Sequence, residues 1–243
     1  VEKVLLAFSG TKSLYAEMVR KGSRRVKFVN DMMKFVDLYK LDGIDNDWEY
    51  PSANDDSKNN NLMLMRLFSN ALHSPERNMI LSMDITDGRW SGGYREGIDP
   101  GVYDCCDFFN NMSYNSIVAS EKPEGYDACK IMETSYNWWV GTRKMPKSKF
   151  VLGMPLYGTD PYLDVNWGYR TIIRNGGDPQ KDIAKINSDG KAYTFFYNGI
   201  PTVRKKVQTM KDRGCGGYMF WEGSFDSFDE QSLLMAAYKT AVN

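Results

Sequence analysis

The stretch Leu41-Asp42-Gly43-Ile44-Asp45-Asn46-Asp47-Trp48-Glu49-Tyr50-Pro51 decides how the rest of the chain is read. Four acidic residues fall within eight positions, yet Ile44, Trp48 and Tyr50 prefer strands and Pro51 ends a ladder. A strand over 43–49 has a side-chain period of two, which puts Gly43, Asp45, Asp47 and Glu49 on one face. Ile44 and Trp48 then point the other way, into an apolar layer. Alternate carboxylates on such a face stand roughly 6–7 Å apart. So much like charge gathered beside apolar residues marks a site of chemistry rather than a solvated run.

Working outward, Lys3–Ser9 is a short apolar run with the length and flanks of a buried strand. Over 24–39, Val26, Val29, Met33 and Val36 recur at helical spacing, and Phe28, Met32, Phe35 and Tyr39 widen the stripe. Past the acidic stretch come a polar loop over 52–61, an amphipathic helix over 62–72 and an apolar strand over 78–86. A Gly-rich loop over 87–97 carries Trp90 and Tyr94, and strand 104–115 follows. Helix 128–144 holds Trp138-Trp139, which read as packing residues, and strand 149–158 comes next. Residues 159–200 read as irregular, with Gly turns and a hairpin near 193–197. Helix 202–213 closes at Gly214, then strand 215–221 and helix 231–241 complete the chain.

Strands alternating with amphipathic helices imply a parallel sheet faced by helices. Ser9-Gly10-Thr11 after the first strand is not the glycine-rich turn of a doubly wound sheet. Glu49, Tyr114, Tyr157 and Trp221 each stand where a strand gives out, as reactive residues do in a TIM (β/α)8 barrel. Six of the eight strand–helix units are visible. With no internal repeat or linker, residues 1–243 read as one domain.

Composition removes several classes of function. Lys+Arg and Asp+Glu number 31 each, so no overall field draws in nucleic acid, and no apolar run is long enough to span a membrane. The single histidine, His73, reads as a surface or capping residue, which disfavours His-based triads and metal sites. Cys105, Cys106, Cys129 and Cys215 lack CxxC spacing and read as buried thiols, with room for one bridge. The expectation is no cofactor and no metal.

Crowded carboxylates cannot all ionise at neutral pH, so at least one becomes a proton donor beside a retained negative charge. Hard-cation binding and glycosidic-bond cleavage both use such a set, and few further oxygen ligands are visible for a cation. Asp47 and Glu49 leave one strand and so approach a sugar from one side. Cleavage then needs either a second carboxylate from another strand or a nucleophile supplied by the substrate, such as the carbonyl oxygen of a 2-acetamido group.

Asp42-Gly43-x-Asp45-x-Asp47-x-Glu49-Tyr50-Pro51 resembles the signature of glycoside hydrolase family 18, the chitinase family. The resemblance extends to Met112-x-Tyr114, to 149–158 and to 216–222. On that mapping the first strand here is the family's third, so the two units that would precede it are absent from these 243 residues. The resemblance implies a retaining, substrate-assisted enzyme acting on β-1,4-linked N-acetylglucosamine. Glu49 would be general acid and then base, Asp47 the acetamido orienter, and Asp45 its proton-sharing neighbour. Tyr114 would donate to the acetamido oxygen, with Met112 and Asn115 in the pocket, Trp221 under the sugar ring and Tyr157 as a subsite wall. Trp90 is a candidate outer subsite, a flat ring face suiting a sugar.

Ala7 departs from the family by standing where a serine usually bonds the aspartates, Asn115 by replacing an aspartate, and Thr159 by replacing an arginine. Asn46 replaces an apolar residue for no reason visible in sequence. The competing readings are an endo-β-N-acetylglucosaminidase on N-glycan cores, a chitin-binding lectin without turnover, and a divalent-cation protein. The substrate class implies a secreted, periplasmic or cell-surface monomer whose partner is an N-acetylglucosamine glycan. Because 159–200 reads as too short for a folded wall, the expectation is a shallow groove and endo action.

Overall fold

The computed structural model describes residues 2–114 and 125–243. These divide into two compact units, Val1–Asn111 with Trp138–Phe150, and Met112–Asn137 with Val151–Asn243. In the first unit β1 (Leu5–Phe8), β2 (Gly43–Asn46), β3 (Ile80–Ile85) and β4 (Phe108–Asn111) pair in parallel, in chain order. The connections hold α1 (Lys12–Arg20), α2 (Gly22–Tyr39) and α3 (Ser57–Leu72). This is the strand–helix repeat that the sequence implies.

The acidic strand is shorter than expected. β2 stops at Asn46, and only the Asp47 N–H carries the ladder one step further, donating to the Phe8 carbonyl at 3.1 Å. Asp47 and Glu49 therefore lie on the segment beyond the strand, and pleat spacing does not set their separation. The alternation nonetheless persists through Trp48, which is 1% exposed and stacks on Tyr15 of α1 with ring centroids 4.9 Å apart. Asn46, unexplained in sequence, has a structural partner set. Its Nδ2 donates to Asn61 Oδ1 at 3.3 Å and lies 3.2 Å from the Met65 sulfur, so a polar side chain among helices is satisfied.

β2 also begins under tight constraint. A Cβ on Gly43 would sit 2.0 Å from the Ile80 carbonyl oxygen, a backbone atom that cannot turn away. Gly43→Ala is expected to cost on the order of 3 kcal/mol or more, beyond the usual overpacking range, as measured by urea unfolding. A loss under about 1 kcal/mol would show that the strands part without strain.

Two further expectations need correction. α1 is a helix that sequence reading passed over; the Thr11 hydroxyl caps it by accepting from the Leu14 N–H. On α2 the buried residues are Val29, Met33 and Val36, whereas Val26, Phe35 and Tyr39 are exposed, so the helix buries a narrower stripe than its apolar content suggests. α3 starts at Ser57, inside the expected loop, while His73 caps its C-terminus.

In the second unit β5 (Phe150–Pro155) pairs in parallel with β10 (Gly217–Trp221), and α6 (Ile200–Arg213) closes at Gly214 in the left-handed conformation. Residues 159–200 are not irregular. β6 (Tyr157–Asp160), β7 (Val165–Gly168), β8 (Ile183–Ser188) and β9 (Lys191–Phe196) form an antiparallel sheet in the order β7-β6-β9-β8, with α5 (Tyr169–Arg174) beside β6 and β7. Buried Asp160 ties it together, accepting from the N–H groups of Tyr162, Leu163 and Thr194. The segment is therefore a folded sheet of four strands, where sequence alone suggested irregular chain.

Candidate active site

In the first unit, register places the chemistry. Asp45 lies between Ala7 and Ser82, and Asp84 lies beside Asn110, so β2, β3 and β4 present Asp45, Ser82, Asp84 and Asn110 together. The family's usual serine is replaced by Ala7, yet Asp45 keeps a hydroxyl partner. Ser82 Oγ donates to its Oδ1, and Asn110 Nδ2 donates to the same oxygen at 3.2 Å. The Asp84 carboxyl lies within hydrogen-bond reach of both Asp45 and Asp47, and the Ser9 hydroxyl also reaches Asp47. Glu49 is exposed beyond the strand, within hydrogen-bond reach of the Tyr50 hydroxyl.

The electrostatics follow from burial and crowding. Burial raises Asp45 above the usual carboxylate range against the pull of its Ser82, Asp84 and Asn110 hydrogen bonds. Asp47 is pushed up to about 6 by burial first and then by the charge of Glu49. Asp84 is pushed up to about 9, by burial first and then by the charges of Asp45 and Asp47. Asp47 Oδ1 is buried, and the groups that reach the Asp47 carboxyl are the Asp84 carboxyl and the Ser9 hydroxyl. Among the described residues no group of three or more His, Cys, Asp or Glu is arranged to hold a metal ion.

The second unit holds the aromatic candidates. Tyr157 and Trp221 line a cavity of about 280 Å³ with Asn166, Trp167, Gly168 and Phe225. Trp221 is 54% exposed, whereas Trp139 is 0% exposed, so Trp221 presents its ring to solvent instead of filling the core. Tyr114 sits 6.3 Å from Tyr157 ring to ring, and its hydroxyl lies 3.6 Å from the Met219 sulfur. Burial pushes the Tyr157 hydroxyl up to about 12. Met112 is half-buried, and Asn115 lies outside the described residues.

Elsewhere in the first unit Trp90 is 63% exposed, with the Arg89 guanidinium 5.1 Å from its ring. Trp139 is core, while Trp138 lies under the Arg95 guanidinium at 3.8 Å. Asp42 is structural, accepting from the Val4 N–H at 2.8 Å and from Lys3. His73 bonds Ser69 and Asp107, both at 3.0 Å. Cys105, Cys106 and Cys129 are buried thiols without a disulfide.

Sequence reading missed Asp84, Ser82 and Asn110. Their signal was present, because Ser82 and Asp84 stand two apart in the apolar run Ile80–Ile85, repeating the spacing of Asp45 and Asp47.

Parallel strands alternating with helices, with carboxylates gathered at the end of β2 and on β3, make this a TIM-type (β/α) fold carrying an acidic site. The chain belongs to the glycosyl hydrolases family 18, whose family profile matches residues 2–226. It is 24% identical over 277 residues to Chitinase 1 of Aphanocladium album, spanning 98% of this chain and 65% of that one. The chain spans less than two thirds of the length of that relative and of two further ones, 62% of a class V chitinase of Lotus japonicus and 56% of an endochitinase of Brugia malayi. Among solved structures, catalytic domain 2 of the Ostrinia furnacalis Group II chitinase superposes with a TM-score of 0.81 at 18% identity, covering 99% of this chain and 78% of that one. A chitinase-like agglutinin from Robinia pseudoacacia superposes at 0.76 with 22% identity, covering 98% and 81%. Those likenesses place the fold as the family's own.

Proposed function

We propose that the protein is a retaining glycosidase that cleaves β-1,4-linked N-acetylglucosamine, in chitin or its oligomers, with the substrate's 2-acetamido oxygen as nucleophile. The observation that carries this reading is the Asp47 carboxylate, whose Oδ1 is buried and whose lone pairs the Asp84 carboxyl and the Ser9 hydroxyl do not fill. A buried acceptor in that state costs free energy unless a ligand donor completes it. An amide N–H is such a donor, and fixing it turns the acetamido carbonyl toward the anomeric carbon.

Asp84 does come from a neighbouring strand, as the nucleophile of a two-carboxylate mechanism must. It nevertheless lies within hydrogen-bond reach of two other carboxyls and is held protonated by burial, which unsuits it for attack. Substrate assistance is left as the route. Glu49 protonates the leaving oxygen and later deprotonates water, Asp47 orients the amide and offsets its developing positive charge, and Asp45 supports Asp47. From the family resemblance alone, Tyr114 is assigned to donate to the acetamido oxygen, Trp221 to carry the sugar's C–H face, and Met112, Asn115 and Tyr157 to contact the sugar. Trp90 serves as an outer platform.

The test is the anomeric outcome. Proton NMR of chitooligosaccharide hydrolysis is expected to show the β anomer first. An α first product would remove acetamido participation, and binding without any hydrolysis would favour a lectin like the Robinia protein. Parallel assay on a high-mannose glycoprotein separates N-glycan cleavage from chitin cleavage. The proposed substrate would put the protein outside the cytoplasm, and we take it to act as a monomer; no described helix is long and apolar enough to cross a membrane.

A further inference from the structure

Asp84 has no part in the family pattern that Asp45, Asp47 and Glu49 follow, yet its side chain is woven into theirs. The register sets it on β3 beside Asn110 and one pleat beyond Ser82, which itself lies beside Asp45. From there its carboxyl lies within hydrogen-bond reach of Asp45 and of Asp47, and one proton on it can be donated to one of the two at a time. Two ionised carboxylates have four acceptors and no donor between them, so contacts of this kind require a proton on one partner. Asp45 Oδ1 accepts from both Ser82 and Asn110, whereas Asp84 shares Asn110 alone, so the proton belongs on Asp84 and not on Asp45. Asp47 is reached by the Ser9 hydroxyl and is left to accept from Asp84 as the anion.

The groups facing Asp84 reinforce this placement. They are Asp45 and Asp47 from the β2 segment and Ser82 and Asn110 from β3 and β4, with Glu49 acting through Asp47 and the Tyr15 hydroxyl at longer range. Among the described residues that face it there is no cationic side chain. A third negative charge here would meet two carboxylates.

We propose that Asp84 is a positioning residue that carries the site's resident proton and, by donating it in a hydrogen bond to Asp47, holds Asp47 as the anion that receives the substrate amide. The proton stays on Asp84 through turnover. The acid–base exchange belongs to Glu49 alone, so no charge is created or lost at Asp84 during the reaction. Raising the pH removes the proton, sets a third carboxylate against the other two and disperses the arrangement. This role rests on the reading of the site as a substrate-assisted glycosidase, although the proton itself can be detected without turnover.

Infrared difference spectra of substrate-free protein at pH 7.5, parent minus Asp84→Asn, should contain the carbonyl stretch of a protonated carboxyl. Its absence overturns the proposal whether or not the protein hydrolyses anything. Turnover of chitooligosaccharides gives the second readout. The parent kcat should fall on the alkaline side as Asp84 ionises. Asp84→Asn, whose amide still donates but does not titrate, should lose that alkaline limb while kcat at neutral pH stays within about tenfold of the parent. Asp84→Ala, which keeps no donor, should lower kcat by about 100-fold with KM little changed. An alkaline limb unchanged in Asp84→Asn, or equal kcat in the Asn and Ala variants, overturns the proposal. A parent protein with no turnover on any acetamido glycan counts against the glycosidase reading, and the infrared band then decides the placement of the proton.

Discussion

Glu49→Gln is expected to lower chitooligosaccharide turnover by about 10²–10⁴-fold, the range that loss of a general acid–base group produces. Binding of the same oligosaccharide, measured by calorimetry, should change by less than about threefold, because the amide keeps the shape and only the transferable proton is gone. The structural context isolates the effect. Glu49 is exposed and stands three residues beyond the end of β2, outside the ladder that fixes Asp45. Its side-chain hydrogen bond is with the Tyr50 hydroxyl, which an amide oxygen accepts equally well. The fold therefore loses no contact, and because the charge of Glu49 opposes ionisation of Asp47, thermal unfolding of the variant at neutral pH should occur at or slightly above the parent's temperature. Near-parental hydrolysis would exclude Glu49 from the acid role and with it the assignment of Asp47.

The acidic stretch was legible because several signals coincide within it. Strand formers, a ladder-ending proline and carboxylates at alternate positions all point to one geometry, and Trp48 is as buried as that geometry requires. Asp84 was not legible for the opposite reason. A single carboxylate in Ile80–Ile85 reads as tolerated in an apolar strand, and only the pairing of β3 with β2 and β4 shows it facing Asp45 and Asn110. Asn46 likewise looked misplaced until α1 and α3 supplied Tyr15, Asn61 and Met65 around it. These are contacts between elements far apart in sequence, which periodicity does not encode.

The inserted sheet was missed through local composition. Turn residues such as Asn175-Gly176-Gly177 and Ser188-Asp189-Gly190 dominate 159–200, and the strands they join are four to six residues long. In β9, Tyr193 and Phe195 stand two apart and so share one face, with Thr194 on the other. Both rings meet Trp167, at 5.0 and 4.6 Å, so the period is present there but in a run too short to stand out among the turn residues.

The second large effect expected is a decline in stability as pH rises, centred on the same carboxylates. Asp45, Asp47 and Asp84 all have folded pKa values above the ordinary 3.8, with Asp47 near 6 and Asp84 near 9. Between the unfolded and folded values the native state binds more protons than the unfolded chain, so unfolding free energy falls with increasing pH. The stability is fully present below about pH 4, is drawn down first through about 6 as Asp47 ionises, and is lost through about 9 as Asp84 follows. Asp84 alone should account for about 3–6 kcal/mol across that window, at 1.36 kcal/mol for each unit of difference and with allowance for its partial exposure.

Exposed carboxylates such as Asp31 and Asp37, held low by Lys27 and Arg77, act in the opposite direction and dominate only at acid pH. The measurement is therefore a difference: urea unfolding of Asp84→Asn and the parent over pH 4–10. The two should coincide near pH 4 and separate steadily above it, with the variant the more stable. Parallel curves would mean that Asp84 ionises in the fold as freely as in the unfolded chain. Separation would mean that the protein holds like charges together at a cost in stability, a cost that a single proton on Asp84 relieves and that returns as Asp84 ionises.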